Sequence, residues 1–363
     1  VTSITDPPDA EAPGAEEPSY AVVAPRSRVP AALALSLYAL AALGIALWAA
    51  PRTSLNPRAL LVDSVLGTAY RPYVYRQLVP LMVRAIDAIT PAPVRRAIES
   101  TFAAHPLLMR KLHWAPGYAR RFVIVFVIHW LSLILFGACM RELVDQTWAP
   151  RAPVSVAAGV AAIVLTGIHF GYQNYVYDFP QLALFALGLA VLGRDRLREF
   201  YLLYPIGMLN KETFVLMTVV FVFTRWGRLS FGVLMRHVLA QLAIAFAIVA
   251  ALHYIYRNEP GGTIEFHLAR NLDYHPSARQ LLHDVIYLGF WALALLSAGR
   301  RPFLGGLALV LGGVLGITTL FFGYITEYRY YYEVYPILFL LAFGTVWNAT
   351  VGRRRAPPPA VAT

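Results

Sequence analysis

Residues 121–140 read RFVIVFVIHWLSLILFGACM, and after the opening arginine the run carries no charge. Twenty residues at about 1.5 Å each cross the roughly 30 Å hydrocarbon core of a bilayer as one helix. The run is apolar on every face instead of at alternate positions, so it does not fit a strand of a membrane barrel. A backbone surrounded by lipid must satisfy its own hydrogen bonds, and a helix does this within a single segment.

Comparable runs lie at 29–50, 154–170, 178–193, 230–256, 281–298, 303–322 and 334–351, which predicts eight spans. The expected fold is an all-α, polytopic transmembrane helix bundle. Composition agrees: 58% of the 363 residues are hydrophobic and 14% are charged, against about 25% charged in soluble domains.

A ninth apolar stretch, 200–224, is broken at its centre by Asn210, Lys211 and Glu212. Lys and Arg collect in short cytoplasmic loops. Arg194, Arg196 and Arg198 precede this stretch, while Arg225, Arg228 and Arg236 follow it. With basic groups at both ends, the stretch is expected to enter and leave on one side, as a re-entrant helical hairpin. Two arms of about ten residues each reach roughly 15 Å, half of the hydrocarbon. Arg300 and Arg301, then Arg353, Arg354 and Arg355, extend the same side, with Arg141 and Arg151 marking a further loop.

The expected layout is a multi-pass protein of the plasma membrane with both termini cytoplasmic. Residues 1–28 and 356–363, rich in Pro and Ala, read as disordered tails around a membrane domain at 29–355. Residues 51–120 form a long extracytoplasmic segment, of a length that escapes the charge rule. Within it, 73–89 places Val74, Leu78, Leu81, Met82, Ala85 and Ile89 on one helical face, with Arg76, Arg84 and Asp87 away from it. That pattern suits an amphipathic helix on the outer leaflet.

The net charge of +11 reports loop placement and affinity for anionic membrane lipids, not nucleic acid. Lysine occurs only at 111 and 211, and an excess of arginine fits a GC-rich bacterial genome. Cys139 is the single cysteine, which excludes a disulfide framework or thiolate cluster within the chain. The nine histidines show no metal-ligand spacing, so no metal site is expected. No nucleophile elbow or phosphate-binding Gly-rich loop is present.

An ionisable group within hydrocarbon is costly, about 2.5–3.5 kcal/mol on insertion scales, so clusters of such groups point to function. On the topology above, four sets share the outer side: Asp63 with Tyr70, Arg71 and Arg76; Asp178; Lys211 with Glu212; and Glu327 with Arg329 and Glu333. Asp63 is placed to act at the membrane surface, beside arginines able to hold phosphate bidentately. Asp178 precedes Phe179 and Pro180, where helix capping explains it as well as catalysis does. Lys211 and Glu212 are adjacent and face different sides of a helix, so each is expected to find its partner on another segment. Glu327, Arg329 and Glu333 lie among Tyr328, Tyr330, Tyr331 and Tyr332, as a binding set or an interfacial aromatic belt.

A first span, a long outer loop with an early acid and an amphipathic helix, then many spans with acids and bases on one face, resemble the C-type membrane glycosyltransferases. The resemblance is one of layout over about residues 30–355, not of motif. It implies a polyprenyl-phosphate sugar donor, a glycan or lipid acceptor, and a role in assembly of cell-envelope glycans. Asp63 then takes the general-base role, with Asp178 as its substitute. Tyr70, Arg71, Arg76, Lys211, Glu212, Glu327 and Arg329 become substrate-binding candidates. No organic cofactor is implied, and a divalent cation stays open. Asp63 stands alone where many members carry an acidic pair. The rival class is a transporter or flippase for a lipid-linked or small anionic substrate, which uses the same charges and a broken helix. A third, a non-catalytic scaffold, leaves Lys211 and Glu212 unexplained.

Overall fold

The computed structural model describes residues 29–115, 117–169 and 173–351. The two predicted tails lie outside the described residues, as do Arg353, Arg354, Arg355, Gly171 and Tyr172. Among the described residues every regular element is helical; one isolated bridge joins Thr53 to Asn174.

The chain runs through α1 (Ala31–Ala49), then a segment of shorter helices with α2 (Leu61–Leu66), α3 (Leu78–Ile89), α4 (Ala92–Ala103) and α5 (Pro106–Leu112). It continues with α6 (Ala119–Trp148), α7 (Ala152–Leu165), α8 (Asp178–Gly193), α9 (Leu197–Asn210) and α10 (Leu216–Arg225). The last third holds α11 (Phe231–Ile255), α12 (Leu268–Leu272), α13 (Ala278–Leu295), α14 (Pro302–Phe322) and α15 (Tyr335–Thr350).

Six helical segments, containing α1, α6, α7, α11, α13 and α14, are long and apolar enough to cross a membrane. The sequence predicts eight such spans. The two that differ, α8 and α15, are apolar but have 16 residues each, about 24 Å of helix. They are also the most enclosed. Phe179, Leu182, Phe185, Ala186, Leu338 and Leu341 are all buried. Helices α1, α11, α13 and α14 form the perimeter and turn apolar side chains outward, including Leu40 and Leu47 of α1, Phe246 of α11, Val285 and Leu288 of α13, and Ile317 of α14. A perimeter of this kind is stable in hydrocarbon and would aggregate in water.

Small residues set the closest approach in the bundle. A Cβ on Gly159 of α7 would fall 2.6 Å from the Gly137 carbonyl oxygen of α6, so this crossing depends on having no side chain there.

The broken stretch is an antiparallel helical hairpin. Phe200 near the start of α9 stacks on Phe221 near the end of α10, at 5.8 Å between centroids. Tyr204 and Thr218 share a hydrogen bond of 2.8 Å between their hydroxyls, and Gly207 lies against the Phe214 ring. The open ends meet where Arg225 pairs with Asp195 and donates to the Leu192 carbonyl at 3.0 Å. Both ends of the hairpin therefore lie at one end of the bundle, together with Arg194 and Arg228, as the flanking charges predict. The arms have 14 and 10 residues, longer on the first side than expected.

The segment between α1 and α6 packs its own core against the first turns of α6. Leu61, Val65, Tyr73, Val79, Val83, Trp114 and Phe122 form this core with Tyr175, Val176 and Tyr177. The amphipathic helix starts at Leu78, not at 73, and residues 73–75 form a separate 3₁₀ turn. Leu81, Met82, Ala85 and Ile89 point outward as predicted, while Val74 is buried. Arg76 and Asp87, expected on the solvated face, are also buried. Asp87 is clamped by Arg120 and by Arg121, at 3.3 Å for the latter, which ties α3 to the start of α6.

Candidate functional site

The tip of the hairpin is where local backbone and long-range ionic contacts meet. The helix α9 stops because Lys211 adopts an extended conformation, φ −162° and ψ 135°, before the 3₁₀ turn Glu212–Val215. Asn210 fixes the stop by donating to the Tyr177 carbonyl and to Gln181 Oε1, both at 3.0 Å. Extended backbone sends the next two side chains in opposite directions.

Lys211 turns inward. Its Nζ lies 3.0 Å from Glu333 Oε1, with both side chains almost fully enclosed, at 2% and 0% exposure. The same carboxylate oxygen accepts from Thr213 and, at 3.2 Å, from Gln181. Glu212 turns outward and takes a bidentate grip from Arg76, Nε to Oε2 at 3.1 Å and Nη2 to Oε1 at 2.6 Å. Arg76 also donates to the Tyr177 hydroxyl. These are the non-local partners that adjacency on a helix required.

The third cation, Arg329, sits 2.5 Å from Glu327 and 3.7 Å from Asp178. Its guanidinium lies 4.0 Å above the Tyr175 ring. Asp178 is buried, and its Oδ2 accepts from the Tyr175 backbone N–H at 2.8 Å, a bond to the segment ahead of α8 and not a cap on the first turn of the helix. Tyr73, Tyr175 and Tyr177 stack in a row, with centroids 5.5 and 5.4 Å apart. Arg76 covers Tyr177 at 4.4 Å and Tyr73 at 5.6 Å, so both guanidinium groups bear on this row of rings.

Below this network opens a cavity of about 440 Å³. Arg76, Lys211, Glu212 and Thr213 form its ionic side. Val249, Leu252 and His253 of α11 and Leu315, Thr318 and Phe322 of α14 form a mainly apolar side. A third side comes from the loop after α11, through Thr263, Ile264, Glu265 and His267. Glu212 has 46% of its side chain exposed here while Arg76 behind it is buried, so the cavity meets the carboxylate backed by the guanidinium.

Of the residues singled out from sequence, Arg76, Asp178, Lys211, Glu212, Glu327 and Arg329 come together in the network. Three do not enter it. Asp63 lies half-buried in α2 outside the cavity lining, and its carboxylate has no hydrogen-bonding or ionic partner among the described residues. Tyr70 is exposed. Arg71 donates its backbone N–H to Pro260 at 2.8 Å, and Gly261 lies so close that a Cβ there would stand 2.8 Å from the Arg71 carbonyl oxygen. Arg71 thus holds the loop after α11 that lines the cavity.

The groups not predicted from sequence are His253, Glu265 and His267. Glu265 pairs with Arg58 at 2.7 Å and with His267 Nε2 at 3.3 Å. His253 stacks on Tyr75 at 4.1 Å and His267 on Tyr324 at 4.2 Å. The sole sequence signal for the last two is an acid two residues before a histidine in the loop after α11. Among the described residues no group of three His, Cys, Asp or Glu side chains is placed to hold a metal ion.

No family model, curated protein or solved structure matches this chain, so the reading of the site rests on its own geometry.

Proposed function

We propose that this protein is an integral membrane glycosyltransferase that takes a sugar from a polyprenyl-phosphate donor and passes it to an extracytoplasmic glycan or lipid acceptor. One observation carries the reading: a single cavity joins an ionic side, of Arg76, Lys211 and Glu212, to an apolar side between two perimeter helices, α11 and α14. A lipid-linked sugar has the matching division. Its phosphate suits guanidinium and ammonium groups, its hydroxyls suit carboxylates and imidazoles, and its isoprenoid chain suits Val249, Leu252, Leu315 and Phe322.

On this reading the arginine-rich end with Arg194, Arg225 and Arg301 faces the cytoplasm. The hairpin α9–α10 enters from that side and returns, and the cavity opens outward. The cations already present would stabilise charge developing on the departing lipid phosphate, and a cavity carboxylate would take the acceptor proton. The role fits assembly of cell-envelope glycans.

A broken helix carrying charges also favours the second reading, a transporter or flippase for a lipid-linked or small anionic substrate. One experiment separates them. Purified protein in liposomes is given radiolabelled polyprenyl-phosphate hexose and acceptor glycosides on the same face. Transfer of label to the acceptor, abolished by Lys211→Ala or Arg76→Ala, is the expected result. Movement of the donor between leaflets without transfer would replace the transferase reading with the transporter.

A further inference from the structure

We infer that Glu265 is the proton acceptor of the site, held for that task by the loop after α11 that lines the cavity; the inference rests on the transferase reading above. The choice follows from what each carboxylate already does. Asp178, Glu327 and Glu333 are buried away from the cavity lining. Glu212 lines the cavity, but Arg76 occupies both of its oxygens. A carboxylate holding two guanidinium hydrogen bonds stays ionised and is a weak base. Asp63 lies outside the lining.

Glu265 is different. Its Oε1 accepts from Arg58 at 2.7 Å, while Oε2 faces the His267 imidazole at 3.3 Å. Arg58 is 55% exposed, so water screens its hold on the carboxylate far more than it screens the buried Arg76. Glu265 itself is 19% exposed and lines the cavity. The loop is pinned at both ends of this segment. The Arg71 N–H holds the Pro260 carbonyl at 2.8 Å, and the His267 N–H donates to Phe321 at 2.7 Å. Pinning of this kind preorganises a group whose placement within a fraction of an ångström sets its efficiency.

In the transfer step the acceptor hydroxyl oxygen forms a bond to the anomeric carbon of the sugar. The bond between that carbon and the phosphate oxygen breaks, and its electron pair leaves with the polyprenyl phosphate. The hydroxyl proton passes to Glu265 Oε2. Arg58 and His267 are positioning residues.

The test uses the full chain in liposomes with a panel of polyprenyl-phosphate hexoses as donors and octyl glycosides as acceptors. Glu265→Gln is expected to lower kcat by about 10²- to 10⁴-fold, the usual range for loss of a general base. Donor Kd stays at its wild-type value, and the acidic limb of the pH–rate profile disappears. Arg58→Ala, at an exposed position, removes one of the two groups that orient the carboxylate, so kcat falls while donor Kd is kept, and Arg58→Lys restores part of the rate. Unchanged kcat and pH profile in Glu265→Gln would overturn the assignment, as would loss of the acidic limb in Asp63→Asn or Glu212→Gln instead. A wild-type protein that transfers no sugar from any donor in the panel would overturn the transferase reading itself, and the assignment with it.

Discussion

Lys211→Met tests the site at its most enclosed point. Lys211 and Glu333 stand 3.0 Å apart with 2% and 0% of their side chains exposed, so solvent screening gives little discount. Removing the ammonium leaves a carboxylate with Oε1 still held by Gln181 and Thr213 and with Oε2 lacking a hydrogen bond among the described residues. Stranding one member of a buried pair destabilises a protein by about 3–5 kcal/mol. Glu333→Leu, which strands the lysine, falls in the same range. Replacing the whole pair by apolar side chains is typically neutral or stabilising, so Lys211→Met with Glu333→Leu recovers most of the loss. The expected coupling between the two substitutions therefore amounts to several kcal/mol, well above the 0.5 kcal/mol within which distant sites add. The assay is reversible unfolding in mixed detergent micelles, followed by fluorescence of the seven tryptophans. Single-variant losses below about 1 kcal/mol, the size of an exposed pair, or simple addition in the double variant, would refute the reasoning.

Further outcomes follow from other parts of the fold. A Cβ on Gly207 would stand 2.3 Å from the buried Phe214 ring, so Gly207→Ala is expected to lose about 1–3 kcal/mol by overpacking, measured in the same micelles. Single-cysteine probes in a Cys139→Ala background should label Arg196 and Arg228 from one face and Thr101 and Asp273 from the other; labelling of Arg196 and Arg228 from opposite faces would dismantle the hairpin topology. The Asp87 carboxyl is held below its ordinary range, chiefly by its hydrogen bond to Arg120. Its stabilising contribution is thus present above the unfolded value of about 3.9 and lost as pH falls through the lower folded value. Asp87→Asn should narrow the stability difference between neutral and strongly acidic pH, and an unchanged difference would remove Asp87 from the account. Asp63→Asn should leave sugar transfer near the wild-type rate in the liposome assay, because the carboxylate is outside the cavity lining.

The amino-acid sequence alone determined the class of fold, because lipid-length apolar runs leave a backbone no arrangement but helices. It also located the break at Asn210, Lys211 and Glu212, since charges amid apolar residues stand out against a uniform background. Adjacency on a helix was enough to require separate partners for Lys211 and Glu212. The identity of those partners was decided by tertiary structure. Glu333 and Arg76 lie 122 and 136 residues away in sequence, and no local pattern encodes pairing over such distances. The same holds for the status of each acid. Asp63, Asp178 and Glu265 are all simply acids in the sequence, yet one is half-buried outside the cavity lining, one is sealed beneath Arg329, and one lines the cavity. Exposure, basicity and reach depend on which segments pack around a carboxylate, and that is set only when α11, α14 and the loop after α11 pack around the hairpin tip.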